Sequence, residues 1–145
     1  MNFRRAAPAD TERLREIMRG SNGYAEPQAR AMIDAYAATW APGPEVWLIE
    51  DERGVAGFHS LEALDGERLD LDLFFIDDAR QGEGLGVALF KHMAAQARAR
   101  AARQVVIVSN PGAVGFYRRM GASDDGVQPG GAFVTWPRPR LVLDL

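Results

Sequence analysis

Cysteine is absent from the chain. Disulfides, thiol catalysis and thiolate metal sites are therefore excluded. Histidine occurs only twice, at His59 and His92; a zinc site would need several carboxylates, and no cluster has ligand spacing, so no metal is expected. No apolar run approaches ~20 residues, so no segment reads as a membrane span. The first residues, Met-Asn-Phe-Arg-Arg, lack the apolar stretch of a signal peptide, and a cytoplasmic protein is the expectation. Lysine and arginine number 17 against 20 acidic side chains, a net charge of −3. No basic block stands out, so the electrostatic footprint of a nucleic-acid binder is missing. The dinucleotide fingerprint Gly-x-Gly-x-x-Gly and the triphosphate signature Gly-Lys-Ser/Thr are absent too, which argues against those nucleotide enzymes.

What is present is concentrated in residues 69–86. Leu69, Leu71, Leu73 and Phe75 alternate with Asp70, Asp72, Phe74 and Ile76, the period-two pattern of a strand. A short acidic turn follows, then Gln81-Gly82-Glu83-Gly84-Leu85-Gly86. Beyond it Leu85, Leu89 and Met93 repeat every fourth residue in an alanine-rich helix running to Ala102. Alternating glycines remove side chains where the backbone must meet something closely. A helix start leaves unpaired N–H groups at a positive dipole end, which suits an anion. The plainer alternative is a tight turn that binds nothing. If a ligand is held, the absence of a loop lysine favours a diphosphate gripped by main-chain N–H groups.

A second signal follows the helix. Val105-Val106-Ile107-Val108 is a β-branched strand that breaks at Ser109-Asn110-Pro111-Gly112. Ala113 to Met120 reads as a short helix, stopped by Gly121. Gln81, Gly84 and Gly86, followed in order by Asn110, Phe116, Tyr117, Gly121 and Ala122, closely resemble the GNAT superfamily of acyl-CoA-dependent N-acetyltransferases. The family loop is Gln/Arg-x-x-Gly-x-Gly/Ala. The likeness is strong over Leu69–Ala122 and holds in outline elsewhere.

The remaining pattern agrees with that topology. Phe3 to Ala6 reads as a first strand, and a helix follows Pro8 from Ala9 to Arg19, with Leu14, Ile17 and Met18 on its apolar face. A second helix runs from Pro27 to about Trp40, with Met32, Ile33 and Tyr36 inward. Val46–Ile49 and Val55–Leu61 form a hairpin around Asp51-Glu52-Arg53-Gly54. Gly126 to Gly131 reads as a loop, and Phe133–Thr135 and Arg140–Leu145 as closing strands. The resemblance implies one α/β domain over residues 1–145, a GNAT fold with a mixed central sheet, splayed central strands and flanking helices.

It also implies a reaction: transfer of an acetyl group from acetyl-CoA to a primary amine, on a small molecule or a peptide, by direct attack on the thioester. By resemblance Phe74, Phe75 and Ile76 hold the pantetheine arm, with an amide polarising the thioester carbonyl, and Gln81, Gly82, Glu83, Gly84, Leu85, Gly86 and Val87 cradle the diphosphate. Glu83 is odd beside a diphosphate, and its side chain is expected in solvent. Asn110 is implied in contact with the CoA arm, or serves as a strand-ending turn residue. Tyr117 aligns with the tyrosine that protonates the departing thiolate, a task a phenol can perform. The amine must lose a proton; for a lysine-like group that costs roughly 4–5 kcal/mol near pH 7. Asp72, then Asp70, are the candidate bases, their alternative being a solvated strand face. Asn22, Tyr24 and Tyr36, with Trp40, are implied around the acceptor and equally suit a core or dimer contact; His59 ranks third among bases and is placed with the acceptor residues. His92 is expected exposed and without a role. Homodimers are common in the family. The competing reading is a non-catalytic acyl-CoA-binding sensor or interaction module of the same fold.

Overall fold

A computed structural model describes Met1–Leu145. Its elements are β1 (Asn2–Arg5), α1 (Thr11–Arg19), α2 (Pro27–Thr39), β2 (Val46–Asp51), β3 (Gly54–Asp65), β4 (Arg68–Ile76), α3 (Leu85–Ala99), β5 (Gln104–Val108), α4 (Val114–Arg119), β6 (Ser123–Gln128) and β7 (Arg138–Asp144). The strands form a seven-stranded mixed sheet ordered β1-β2-β3-β4-β5-β7-β6. Packing gathers the chain into two compact units, Met1–Ser60 with Leu73–Leu89, and Leu61–Asp72 with Phe90–Leu145.

In the first unit β1, β2 and β3 run antiparallel, with Phe3 opposite Ile49 and Leu48 opposite Phe58. Alternation along these strands separates two apolar faces. Leu14, Ile17 and Met18 of α1 and Ile33 and Ala37 of α2 pack on Val46, Leu48, Phe58, Leu73 and Phe75. Ile49 and Ile76, one step along β2 and β4, and Ala56, at the register shift between β2 and β3, meet Leu85 and Leu89 of α3 instead. Phe58 is the aromatic hub, 5.5 Å from the rings of both Trp40 and Phe75. A buried phenylalanine of this kind is worth about 3–5 kcal/mol against alanine. Helix α2 starts as its sequence asks, with Pro27 in the first turn and the Glu26 side chain accepting from Ala29 N at 3.1 Å. Pro8–Asp10 make a separate 3₁₀ turn, so α1 proper begins at Thr11 rather than Ala9.

In the second unit β4 and β5 are parallel from Arg68↔Gln104 to Asp70↔Val106. β5 and β7 are antiparallel from Gln104↔Asp144 to Val108↔Arg140. Leu69, Leu71, Val105, Ile107, Leu141 and Leu143 are buried, as are Phe90, Met93 and Ala97 of α3. That helix stops without a glycine. Ala101 takes φ +60, Ala101 N donates to Arg98 O at 2.9 Å, and Ala102 N donates to Ala97 O at 3.1 Å. This pair of reversed bonds closes the helix end in a left-handed turn that glycine adopts more cheaply.

The closing strands differ from expectation. They are Ser123–Gln128 and Arg138–Asp144, not Phe133–Thr135 and Arg140–Leu145. Gly126 sits inside β6, where the register shifts between Asp124 and Val127, rather than opening a loop. β6 is an edge strand, almost wholly exposed, so it needs no apolar alternation and its sequence carries none.

Candidate functional site

The glycine loop is built from its carboxyl-terminal anchor outward. Leu85 and Leu89, one helical turn apart, fix the first turn of α3 on Ile49, Ala56 and Ile76. At the other end Asp77 Oδ1 accepts from Ala79 N at 3.0 Å, and Arg80 N donates to Asp77 O at 2.8 Å, making a tight turn over Asp78–Arg80. Between the anchors Gly82 and Gly84 adopt φ +82 and +79, a region that strains any side-chain-bearing residue. A Cβ on either would meet nothing within 4 Å. The glycines therefore border open space. Ala88 N donates to Gly84 O at 3.2 Å; the amides of Leu85, Gly86 and Val87, in the first turn, have no carbonyl one turn back within the helix. An exposed loop of left-handed glycines beside unspent first-turn amides is suited to a diphosphate.

Glu83 is exposed as expected, but its carboxylate is held by two arginines. Its carboxylate takes Arg80 Nε at 3.1 Å to both oxygens and Arg53 Nη1 at 3.3 Å to both. Arg80 is only 5 % exposed, and its Nη2 donates to Asp51 Oδ2. The hydrogen bond from Arg80 holds the Asp51 carboxyl below its usual range. Asp51, Arg80, Glu83 and Arg53 thus form a chain of alternating charge that sums to zero. This resolves the oddity of a carboxylate between the two glycines, since its charge is drawn back and matched before any anion arrives. Arg80 and Arg53 are the candidate-site residues that the sequence does not announce. The available signal was Glu83 itself, because a carboxylate in an anion loop demands a cation.

The strand entering this loop is closely supported. A Cβ on Gly57 would lie 2.5 Å from Phe75 O, so only glycine lets β3 approach the end of β4. Phe75 is buried among the α1 and α2 residues, while Phe74 packs part-buried beside Ile76 and Leu85. Gln81 Nε2 reaches Ile76 O at 3.5 Å. β4 runs six residues beyond Asp70, the last of its residues paired with β5.

Asn110, Tyr117, Asp70 and Asp72 belong to the second unit. Asn110 Oδ1 accepts from Ala113 N at 3.1 Å and caps the 3₁₀ turn ahead of α4. That is the turn role, and it leaves the side-chain amide N–H groups for another acceptor. Tyr117 is buried on α4, its ring 5.5 Å from Phe116 and 6.1 Å from Phe90. Asp72 is exposed and Asp70 half-buried. Burial pushes the Asp70 carboxyl above its usual value, and Glu62 adds to this, against the pull of Arg140 and Arg138.

Asn22, Tyr24, Tyr36 and His59 lie in the first unit. Asn22 is exposed and its backbone N donates to Asp78 Oδ2 at 2.8 Å. Tyr24 and Tyr36 pack part-buried on the core, with Tyr24 5.8 Å from Phe75. His59 is fully enclosed at 0 % exposure, opposite Trp47 in the β2–β3 ladder. His92 is half-buried rather than exposed, and burial lowers its pKa.

Comparison with known proteins agrees with this geometry. Residues 11–122 match the model of the Acetyltransferase (GNAT) family. The chain belongs to that family, and the membership makes it an enzyme of the N-acetyltransferase class. No protein of curated function matches it in sequence. Among solved structures it is similar to a GCN5-related N-acetyltransferase (aminotransferase, class II) from Rhodopseudomonas palustris, with TM-score 0.83 at 16 % identity over 99 % of this chain and 95 % of that one. It is similar to an aminoglycoside 6'-N-acetyltransferase complexed with coenzyme A (TM-score 0.74, 12 % identity, 99 % and 97 % covered). The ribosomal-protein-S18-alanine N-acetyltransferase of Escherichia coli is likewise similar (TM-score 0.73, 14 % identity, 99 % and 92 % covered). These identities speak for a shared fold. No helix is long and apolar enough to cross a membrane.

Proposed function

We propose that the chain transfers an acetyl group from acetyl-CoA to a primary amine of a small molecule or peptide. The observation that carries this reading is the loop of Gly82 and Gly84, open at its glycines and leading into the first turn of α3. Backbone N–H groups from Gly82 to Val87 would hold the diphosphate, with Gln81 opening the loop and the Arg80 clamp keeping Glu83 from repelling it. Phe74, Phe75 and Ile76 would bind the pantetheine arm by main-chain groups. An N–H aimed at the developing oxyanion lowers the barrier by ~3–4 kcal/mol. Asn110 would offer its side-chain amide to the same arm.

Asp70 is taken as the base, because burial raises its carboxyl above the usual aspartate value and so strengthens its hold on a proton. The N–C bond forms as the C–S bond breaks; Asp70 takes the ammonium proton and Tyr117 gives one to the thiolate. Asn22, Tyr24 and Tyr36 would border the acceptor.

The test is acetyl-CoA-dependent thiol release with a panel of amines, in the wild type and in Tyr117→Phe. Transfer by the wild type, slowed ~100-fold in kcat in the variant with little change in acetyl-CoA binding, supports the reading. Binding of acetyl-CoA with no turnover on any amine would favour the sensor instead.

A further inference from the structure

β7 carries two arginines two residues apart, and they are not equivalent. Residues opposite one another in a ladder share a face of the sheet, as do residues two apart along a strand. Asp70 is opposite Val106, and Val106 is opposite Val142. One face of the second unit therefore bears Asp70 on β4, Val106 and Val108 on β5, and Val142, Arg140 and Arg138 on β7. Arg140 is occupied, since its Nε donates to Asp125 Oδ2 at 3.0 Å. Arg138 Nε is buried and meets no acceptor from the protein. A guanidinium N–H sequestered from water in this way calls for a partner. Asp70 feels both guanidiniums electrostatically, so the acid and the bases on this face lie within range of one another.

Neighbouring strands are ~4.8 Å apart, so β4 and β7 stand about 10 Å apart across β5. Asp70 and Arg138 reach in from the two sides, Arg138 four residues along β7 from Val142, the position in register with Asp70. A carboxylate is the natural occupant of a free guanidinium edge, which donates in a planar fork. We infer that the acceptor is of the amino-acid class, a small amine bearing a carboxylate, with its nitrogen at Asp70 and its carboxylate on Arg138. This inference rests on the acetyl-transfer reading above and narrows its acceptor.

The experiment compares free L-amino acids with their methyl esters as acceptors for acetyl-CoA, in the wild type, Arg138→Gln and Arg138→Lys. The wild type should use the best free acid with kcat/KM at least ~10-fold above its ester. Arg138→Gln should abolish that preference through KM for the free acid while affecting the ester far less, and an unchanged melting curve shows that the variant folds. Arg138→Lys should recover part of the preference. Equal use of acid and ester by the wild type, or an Arg138→Gln loss shared by both, overturns the inference while leaving acetyl transfer standing. Transfer confined to amines without a carboxylate overturns it equally. If acetyl-CoA supports no transfer to any amine in the panel, the underlying reading fails with it.

Discussion

Replacing Gly84 by alanine separates the strain in the loop from its occupancy. Gly84 sits at φ +79, where a Cβ costs about 1–2 kcal/mol. Stiffening the unfolded chain returns roughly 0.4–1 kcal/mol, so the net loss is about 1 kcal/mol, or about 2–5 °C in Tm for a chain of this length. No clash adds to it, because the new methyl meets nothing within 4 Å. On the proposed function that same space would belong to the diphosphate. Holding the anion off even one or two backbone N–H groups forfeits roughly 1.5–3 kcal/mol of charge-assisted hydrogen bonding, which is about 10- to 100-fold in Kd. Gly126→Ala is the matched control, at φ +85, also with nothing within 4 Å, and in edge strand β6. Calorimetric titration of CoA into both variants, with melting curves alongside, reads the two effects apart. Similar small losses in Tm with weakened CoA binding in Gly84→Ala alone are expected. CoA binding unchanged in Gly84→Ala, or weakened as much in Gly126→Ala, refutes the reasoning.

Arg80→Met leaves Glu83 without its buried partner beside the loop and should raise KM for acetyl-CoA roughly 10-fold; adding Glu83→Gln should restore much of it in the same steady-state assay. Asp70 has a raised pKa in the fold, so the native state binds its proton more tightly than the unfolded chain. Stability is then lost as pH rises from near the unfolded value of 3.8 through the folded pKa; Asp70→Asn should melt higher than wild type at pH 7, the gap closing at low pH. Ala101→Gly relieves the φ of +60 at the end of α3 and should stabilise by about 1 kcal/mol in urea titration.

The readable parts of the sequence are those where one physical demand dominates. Alternation in β4 reports burial of one face, and Leu69, Leu71, Leu73 and Phe75 are all buried. The fourfold spacing of Leu85, Leu89 and Met93 reports a helix, and all three are inside. β6 was not legible because its contribution is backbone pairing on an exposed edge, which imposes no apolar alternation on its side chains. The end of α3 was misjudged because Ala101 accepts a left-handed turn that composition would assign to glycine. In the candidate site the glycines announce the loop, yet nothing local marks Arg80 as buried. Its partner Asp51 lies 29 positions earlier, and such a pairing exists only once β2 and the loop are brought together. Arg138 is hidden for a similar reason, since its meaning comes from the row of residues across β4, β5 and β7.

The central claim is a loop that grips the diphosphate of an acyl-CoA by its backbone. Titration of CoA and of pantetheine, which lacks the diphosphate, into the wild-type protein tests it most directly. The account predicts saturable binding of CoA and at least ~100-fold weaker binding of pantetheine, as expected from losing two or more charge-assisted hydrogen bonds. Equal affinity for the two, or no heat with CoA, would contradict it.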